Sequence, residues 1–471
     1  MVSSLSGLES LNGKFVVPGP DASSETVSRW SDTKVGRPAL IVTPENEQDV
    51  QASIRVAKLN NLTVIASGGG HGTFVPVESN ALYLDMKKFK AIQLNKNGGT
   101  VQVGGGVLTG ELLKALAADG YFTPLPNSNG VGVVGCVIGG GNTALSGVYG
   151  WMADIVVSFR LVTSEGESIE VSASSTGKDL TLFNALCGGG HGLGVITGIT
   201  TSAYPISNLN MTEDKIWTRS LVFPAVALDT AAKIFTDLPR SSPSATHSLS
   251  ILRSPPGTPA AGKPIVIVGS TSFGPTKEAE IEAAALFQED VVKSAVAATT
   301  EMIPMANMND RFKMFDAHGG HKTLASCRLK KMDVATIKAA YEHWLAATET
   351  DPDVQRIPLM MASVNTSKLV EIGESKVGAA KFLENRDREF MAMVVMVCQK
   401  EESLNTMTGV ANRIMAEFRK GDEETVPRSI PNNLRFGISL EEMFDKERLE
   451  GLRGVKKIWD ADGIFWSPYV A

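Results

Sequence analysis

Ala66 to Phe74 reads A-S-G-G-G-H-G-T-F. Glycines at 68, 69, 70 and 72 enclose a single histidine, His71, just past a short apolar run, Leu62 to Ala66, that reads as a strand. Glycine lets a backbone turn where a Cβ would clash. It also lets the chain approach a bulky anionic ligand closely enough for its amides to donate to phosphate oxygens. His71 adds an imidazole that can act as a base, a metal ligand or a covalent anchor. Alone, the segment reads equally well as a glycine turn that holds a histidine.

Two further glycine clusters lie downstream. Pro126 to Gly150 runs P-N-S-N-G-V-G-V-V-G-C-V-I-G-G-G-N-T-A-L-S-G-V-Y-G. It reads as neither a regular helix nor a good strand. Backbone lying flat against a large planar or anionic ligand accounts for so many glycines among valines. The third cluster, Cys187 to Gly194 (C-G-G-G-H-G-L-G), precedes a strand from Val195 to Tyr204. Three such loops separated by strands point to one extended ligand. Around them the chain reads as alternating elements. Arg37 to Val42 is a strand, and Thr43 caps a helix with Pro44 at its first position and Val50, Ile54 and Ala57 as its apolar stripe. Leu82–Met86 and Val101–Val103 are strands, and a helix capped by Thr109 stops at Gly120. Ile155–Thr163 and Ile169–Val171 form a hairpin around S-E-G-E.

The totals bound the class. A chain of 471 residues exceeds the ~250–300 at which one core stops growing, so two domains are expected. Hydrophobic content of 43%, charged content of 20% and 45 glycines describe a loop-rich α/β or α+β protein. The net charge of −6 and the lack of a basic run argue against nucleic-acid and anionic-membrane partners. Cys136, Cys187, Cys327 and Cys398 form no CxxC pair and read as buried thiols. No signal-like start and no ~18-residue apolar run is present, so a soluble, cytoplasmic protein is expected.

From about Asn208 the composition shifts. Helical periods fall at Val226–Leu238, Lys277–Gln288, Val334–Ala347 and Leu404–Arg419, with strands at Ile265–Gly269, Leu359–Val364 and Met391–Val397. Met391, Met393 and Met396 read as one buried strand. Ser254–Lys263 and Lys420–Pro427 read as exposed loops, with Asp422 to Glu424 as a solvated acidic stretch. The tail from Leu440 reads as a helix with stripe Leu449, Leu452, Val455 and Ile458. His318 and His321 form H-G-G-H, two potential metal ligands with no third nearby, so no metal site is expected. His191 and His247 read as structural hydrogen bonders, and His343 lies on a helical face. A nicotinamide fingerprint would need GxGxxG, which Gly104 to Gly110 does not match.

Read in order, R-P-A-L-I-V-T-P-E-N-E-Q-D-V, G-G-G-H-G, V-G-V-V-G-C-V-I-G-G-G-N and L-F-N-A-L-C-G-G-G-H-G-L-G-V-I-T resemble the vanillyl-alcohol oxidase type flavoproteins. Within them the chain is similar to the berberine-bridge-enzyme-like branch in a fungal style, as is its tail, V-K-K-I-W-D-A-D-G-I-F-W-S-P-Y. The likeness is firm over residues 28–206, moderate over 440–471 and weak between.

The resemblance implies an α+β protein. A PCMH-type FAD-binding domain of two α/β subdomains (1–207) would be followed by an α/β substrate domain with an antiparallel sheet (208–430). A C-terminal segment (431–471) would return to the first domain. It implies FAD, held at the pyrophosphate by Ser67, Gly68, Gly69, Gly70, Gly72 and Thr73 and bonded covalently through His71. Ser128, Gly130, Val131, Gly132, Gly135, Cys136, Gly139, Asn142 and Thr143 would run along the ribityl chain and ring, and Val195 and Ile196 would offer backbone groups. Ser67 stands where the family often has arginine. Ser128 stands where some members place a second, cysteinyl flavin bond, so a single bond is expected. Val131 occupies a position that in the family influences oxygen access, and valine leans towards an oxidase. The implied chemistry is hydride removal from a small-molecule alcohol or amine, with molecular oxygen as acceptor. The family's tyrosine-type base is not visible in S-I-P-N-N-L-R-F, which leaves His318 and His321 as catalytic candidates and a non-redox cyclase or isomerase as the alternative. A protein that merely retains FAD is a third reading.

Overall fold

The computed structural model describes residues 5–19, 27–258, 260–422 and 428–469. β1 (Phe15–Val16), β2 (Leu40–Val42), β3 (Thr63–Ser67) and β4 (Ala81–Asp85) form a four-stranded sheet in the order β1-β2-β4-β3, parallel except for β1. β5 (Ile92–Asn95) and β6 (Thr100–Gly104) open a second sheet, and β7 (Tyr121–Phe122) stands apart. β8 (Val156–Val162), β9 (Ser168–Ser172) and β10 (Val195–Ser202) complete the second sheet in the antiparallel order β5-β6-β10-β8-β9. β11 (Tyr204–Pro205) pairs with β7.

The remaining strands build a seven-stranded antiparallel sheet: β12 (Lys215–Pro224), β13 (Ala245–Arg253), β14 (Pro264–Ser272), β15 (Ala297–Pro304), β16 (His321–Leu329), β17 (Leu359–Val364) and β18 (Phe390–Cys398). Their order is β15-β12-β14-β13-β17-β18-β16. Strand side chains alternate between faces, so each strand has two destinations. One set, including Leu249, Val266, Met361, Val394 and Met396, joins Phe235, Trp344 and Phe418 of the covering helices in a buried core. On the opposite face Ile216, Phe273 and Ile303 pack into the core of the N-terminal half. That face therefore turns towards the glycine loops.

The tail returns to the first sheet. Val64 donates to the Ile464 carbonyl at 2.7 Å and accepts from Trp466 at 3.0 Å, extending β3 by one bridged residue, Phe465. Lys456, buried to 3% exposure, ties the turn by donating to the Gly192 and Phe465 carbonyls at 2.9 and 2.8 Å and to Asp460.

Several local readings are corrected. The first helix, Glu47–Asn60, is capped by Asn46, whose side chain accepts from Asp49 N at 3.0 Å; Thr43 and Pro44 precede it. Thr109 is the first residue of its helix, and its hydroxyl donates to the Val131 carbonyl at 2.9 Å. Val133–Ile138 is a short helix inside the glycine-dense run, because one glycine in six residues leaves enough side chain to pack. In the tail helix, Lys446–Trp459, the apolar stripe continues after Val455 to Trp459, whereas Ile458 is 61% exposed. Met396 faces the helix-side core while Met391 and Met393 point the other way, half-buried. Asp422 is buried against Arg388 rather than solvated, and residues 423–427 of the expected loop lie outside the described residues. β12, β13, β15 and β16 went unread, since serines and threonines interrupt their apolar alternation.

Candidate active site

β3 delivers the chain into the loop at Gly68. The loop lies backbone to backbone on its neighbours. A Cβ on Gly69 would stand 2.6 Å from the Gly130 carbonyl oxygen, and one on Gly132 would stand 2.6 Å from Gly69 N. Gly70 holds φ at +70° and accepts from Trp30 N at 3.1 Å. The first two glycine clusters are thus one surface, and the 28–33 segment closes its side.

His71 sits where they meet. Its ring stacks on Trp30 with centroids 5.1 Å apart and planes 15° from parallel, and the His318 ring meets it edge-on at 6.0 Å. Its Nε2 is buried without a hydrogen-bond partner. Burial, reinforced by the charges of His318, Lys322 and Arg29, pushes its pKa down to about 3. The imidazole is therefore held neutral at physiological pH, and Nε2 is left without a hydrogen-bond partner.

A strap from the larger sheet, Phe315 to Lys322, covers this point. Trp30 Nε1 donates to the Phe315 carbonyl at 2.6 Å, and Asp32 accepts from Gly320 N at 2.7 Å. Ser31 Oγ accepts from Lys322 N at 2.8 Å. Ser28 Oγ lies 2.9 Å from His318 Nδ1. Asp316 accepts from Ser128 Oγ at 2.6 Å and from Gly130 N at 3.2 Å. Desolvation, then the charges of Lys322 and Arg29, lowers the pKa of His318. His321 turns aside, its Nδ1 3.5 Å from Thr33 Oγ1. The H-G-G-H pair is thus split, and no cluster of three metal-ligating residues occurs among the described residues.

The far end of the second cluster is clamped by Asn432. Its Nδ2 donates to the Cys136 carbonyl at 2.7 Å, and its Oδ1 accepts from Gly141 N at 2.8 Å. Asn142 Oδ1 is buried and unpartnered. Burial alone raises the Cys136 thiol to about 12, so it packs as a neutral group. Ser67 and Thr73 are buried beside the first loop, and Thr143 Oγ1 accepts from Leu145 N at 3.2 Å. Val195 and Ile196 lie behind the loops, paired with Val162 and Leu161 of β8, and Gly105 N reaches the next carbonyl, Thr197 O, at 2.8 Å. His247 is a hydrogen bonder, to Ser270 at 3.1 Å and the Pro239 carbonyl at 2.7 Å. The His191 ring stands nearly perpendicular to Phe74, centroids 5.1 Å apart, and its Nδ1 is buried without a hydrogen-bond partner. Reading the sequence missed Trp30, Asp316 and Asn432. Asp316 stands two residues before His318, so the histidine motif was the available signal.

These residues fit FAD. The two loops approach so closely that only glycine fits at 69 and 132, His71 Nε2 and Asn142 Oδ1 are buried without partners, and the loops offer hydroxyls and backbone amides. Residues 38–172 match the family model described as an FAD binding domain. The chain is 25% identical to FAD-linked oxidoreductase hasG of Aspergillus fumigatus across 97% of both proteins. It is 22% identical to FAD-linked oxidoreductase iacH of Pestalotiopsis fici across 97% of the chain and 88% of that protein. Among solved structures, 6-hydroxy-D-nicotine oxidase from Arthrobacter nicotinovorans superposes with a TM-score of 0.79 at 20% identity, covering 100% of this chain and 99% of that one. Physcomitrella patens BBE-like 1 does so at 0.79 and 17%, over 99% and 100%. Fold, glycine surface and relatives agree: the chain is an FAD-dependent oxidoreductase, similar along its length to fungal FAD-linked oxidoreductases and sharing its fold with the berberine-bridge-type structures.

Proposed function

We propose that this oxidoreductase is an oxidase that removes hydride from a hydroxyl- or amine-bearing carbon of a small molecule and passes the electrons to oxygen, giving hydrogen peroxide. Its FAD is held covalently through His71. The observation that carries this reading is the state of His71: a neutral, desolvated imidazole with an unpartnered nitrogen, fixed by Trp30 at the meeting point of the glycine loops.

When bound, FAD supplies the two-electron acceptor beside the substrate. Ser128, Gly130 and the Gly139–Asn142 stretch would hold its ring and ribityl side, with Asn432 fixing that stretch through Cys136 O and Gly141 N. The wall facing it is the uncharged middle of the larger sheet, where Met360, Met391 and Met393 lie half-buried beside Ser248 and Ser250. Such a wall suits an apolar substrate body. His318 is the proton acceptor best suited by position. Its lowered pKa keeps it unprotonated near neutral pH, and the strap holds it beside His71.

Among the described residues, β13, β17 and β18 place no carboxylate or tyrosine beside these methionines and serines, which favours one second reading, a cyclase or isomerase in which flavin is not reduced. Anaerobic mixing of the purified protein with alcohols and amines separates the two. The oxidase reading expects flavin bleaching, then stoichiometric peroxide on admitting air. Product isomerisation without bleaching would sink it.

A further inference from the structure

Arg328, on β16, is 2% exposed. Its Nη2 donates to the Arg388 carbonyl at 2.7 Å, while Nε and Nη1 are buried with no acceptor in reach. The guanidinium carbon lies 5.6 Å from the centre of the Trp151 ring. Trp151 is 1% exposed, and its own Nε1–H is likewise buried without an acceptor. Three donor nitrogens thus share one buried neighbourhood with no protein acceptor bonded to them.

The cations around them are matched. Arg386, which stacks on the same indole at 4.8 Å, makes a two-pronged pair with Asp154, both bonds 2.8 Å. Arg388 pairs with Asp422 at 2.9 Å, and Asp387 pairs with Lys330 at 2.9 Å. Among the described residues no carboxylate pairs with Arg328. Burial and the Arg388 charge push its pKa down to about 10, so it stays cationic at neutral pH. A buried charge without a counter-charge is costly, as is each buried donor without an acceptor.

We propose that Arg328 and Trp151 form a binding site for one compact monovalent anion, a halide or a formate-sized carboxylate, enclosed between the larger sheet and the Trp151–Asp154 segment. The anion completes the junction of the two halves. Arg328 N donates to the Arg428 carbonyl at 2.9 Å, and two residues earlier Ser326 Oγ accepts from Asn433 Nδ2 at 2.7 Å. β16 thereby carries the segment whose Asn432 clamps the Gly139–Gly141 loop. Occupancy of the site stabilises that clamp from outside the cofactor cradle.

The test uses flavin-loaded protein in gluconate buffer, whose anion is too large to enter. Sodium bromide and sodium formate are each exchanged for gluconate at fixed ionic strength. The expected result is a saturable rise of a few degrees in Tm for the wild type, absent in Arg328→Met. Crystals grown in bromide should show anomalous scattering within hydrogen-bonding distance of Arg328 Nε or Nη1, and crystals grown in formate a planar group there. Ordered water alone at that point in both crystals would overturn the proposal, as would an equal Tm response in Arg328→Met. The crystals need only the wild type, so they decide the matter if the variant does not fold.

Discussion

Trp30 lies flat against His71, their ring centroids 5.1 Å apart, and the same indole donates from Nε1 to the Phe315 carbonyl of the strap above. One side chain therefore sets both the plane of the imidazole and the position of the segment that carries Asp316 and His318. The loop around His71 was built to hold that ring still. The following outcomes are expected from this arrangement.

Gly69→Ala should push the two glycine loops apart and lower flavin loading. The added methyl would stand 2.6 Å from the Gly130 carbonyl, and it meets backbone rather than a side chain that could swing away. Overpacking of this kind costs about 1–3 kcal/mol, so flavin affinity should fall by about tenfold to a hundredfold. Flavin-to-protein absorbance ratio after purification, with circular dichroism as the control for folding, reads this.

Asn432→Ala removes a donor to Cys136 O and an acceptor for Gly141 N at once. Each buried group left unmatched costs about 1–3 kcal/mol. Stability and flavin retention should both drop, and Asn432→Asp should recover only the Gly141 contact. Urea unfolding of the three proteins measures the difference.

Asp154 is 1% exposed and answers two cations, Arg386 at 2.8 Å and Lys381 at 3.8 Å. Asp154→Asn strands both charges in the interior. Breaking one partner of a buried pair typically costs about 3–5 kcal/mol. The variant should unfold at markedly lower denaturant than the wild type, and the same variant carrying Arg386→Met should regain part of the loss.

Burial lowers the pKa of His191 to about 4. This folded value lies below the unfolded one of about 6.5. The unfolded chain therefore binds more protons between these limits. Stability is fully present above pH 6.5 and falls as the pH drops towards 4, by up to about 1.4 kcal/mol per pH unit per group. His191→Gln should flatten the slope of Tm against pH over that window. An unchanged slope would show that the carboxylates alone govern acid unfolding.

The cofactor half was legible because its signals are local. The glycine clusters, the Val156–Ser172 hairpin and the placement of His71 all rest on residue type within a few positions. The partners of His71 were not legible. Trp30 precedes it by two strands, and Asp316 and His318 arrive from another sheet, so only tertiary packing brings them together. Nothing local in the sequence singles out Arg328; its solitude appears once Asp154, Asp387 and Asp422 are seen to be engaged elsewhere. The larger sheet was read only where its strands are continuously apolar, as in β17 and β18.

The central claim is the bond between His71 and the flavin. Acid precipitation of the holoprotein, followed by proteolysis and mass measurement of the peptide containing His71, tests it most directly. The expected result is a yellow pellet, a flavin mass on that peptide, and complete release of flavin from His71→Ala. Colourless precipitate from the wild type, with all FAD free in the supernatant, would contradict it.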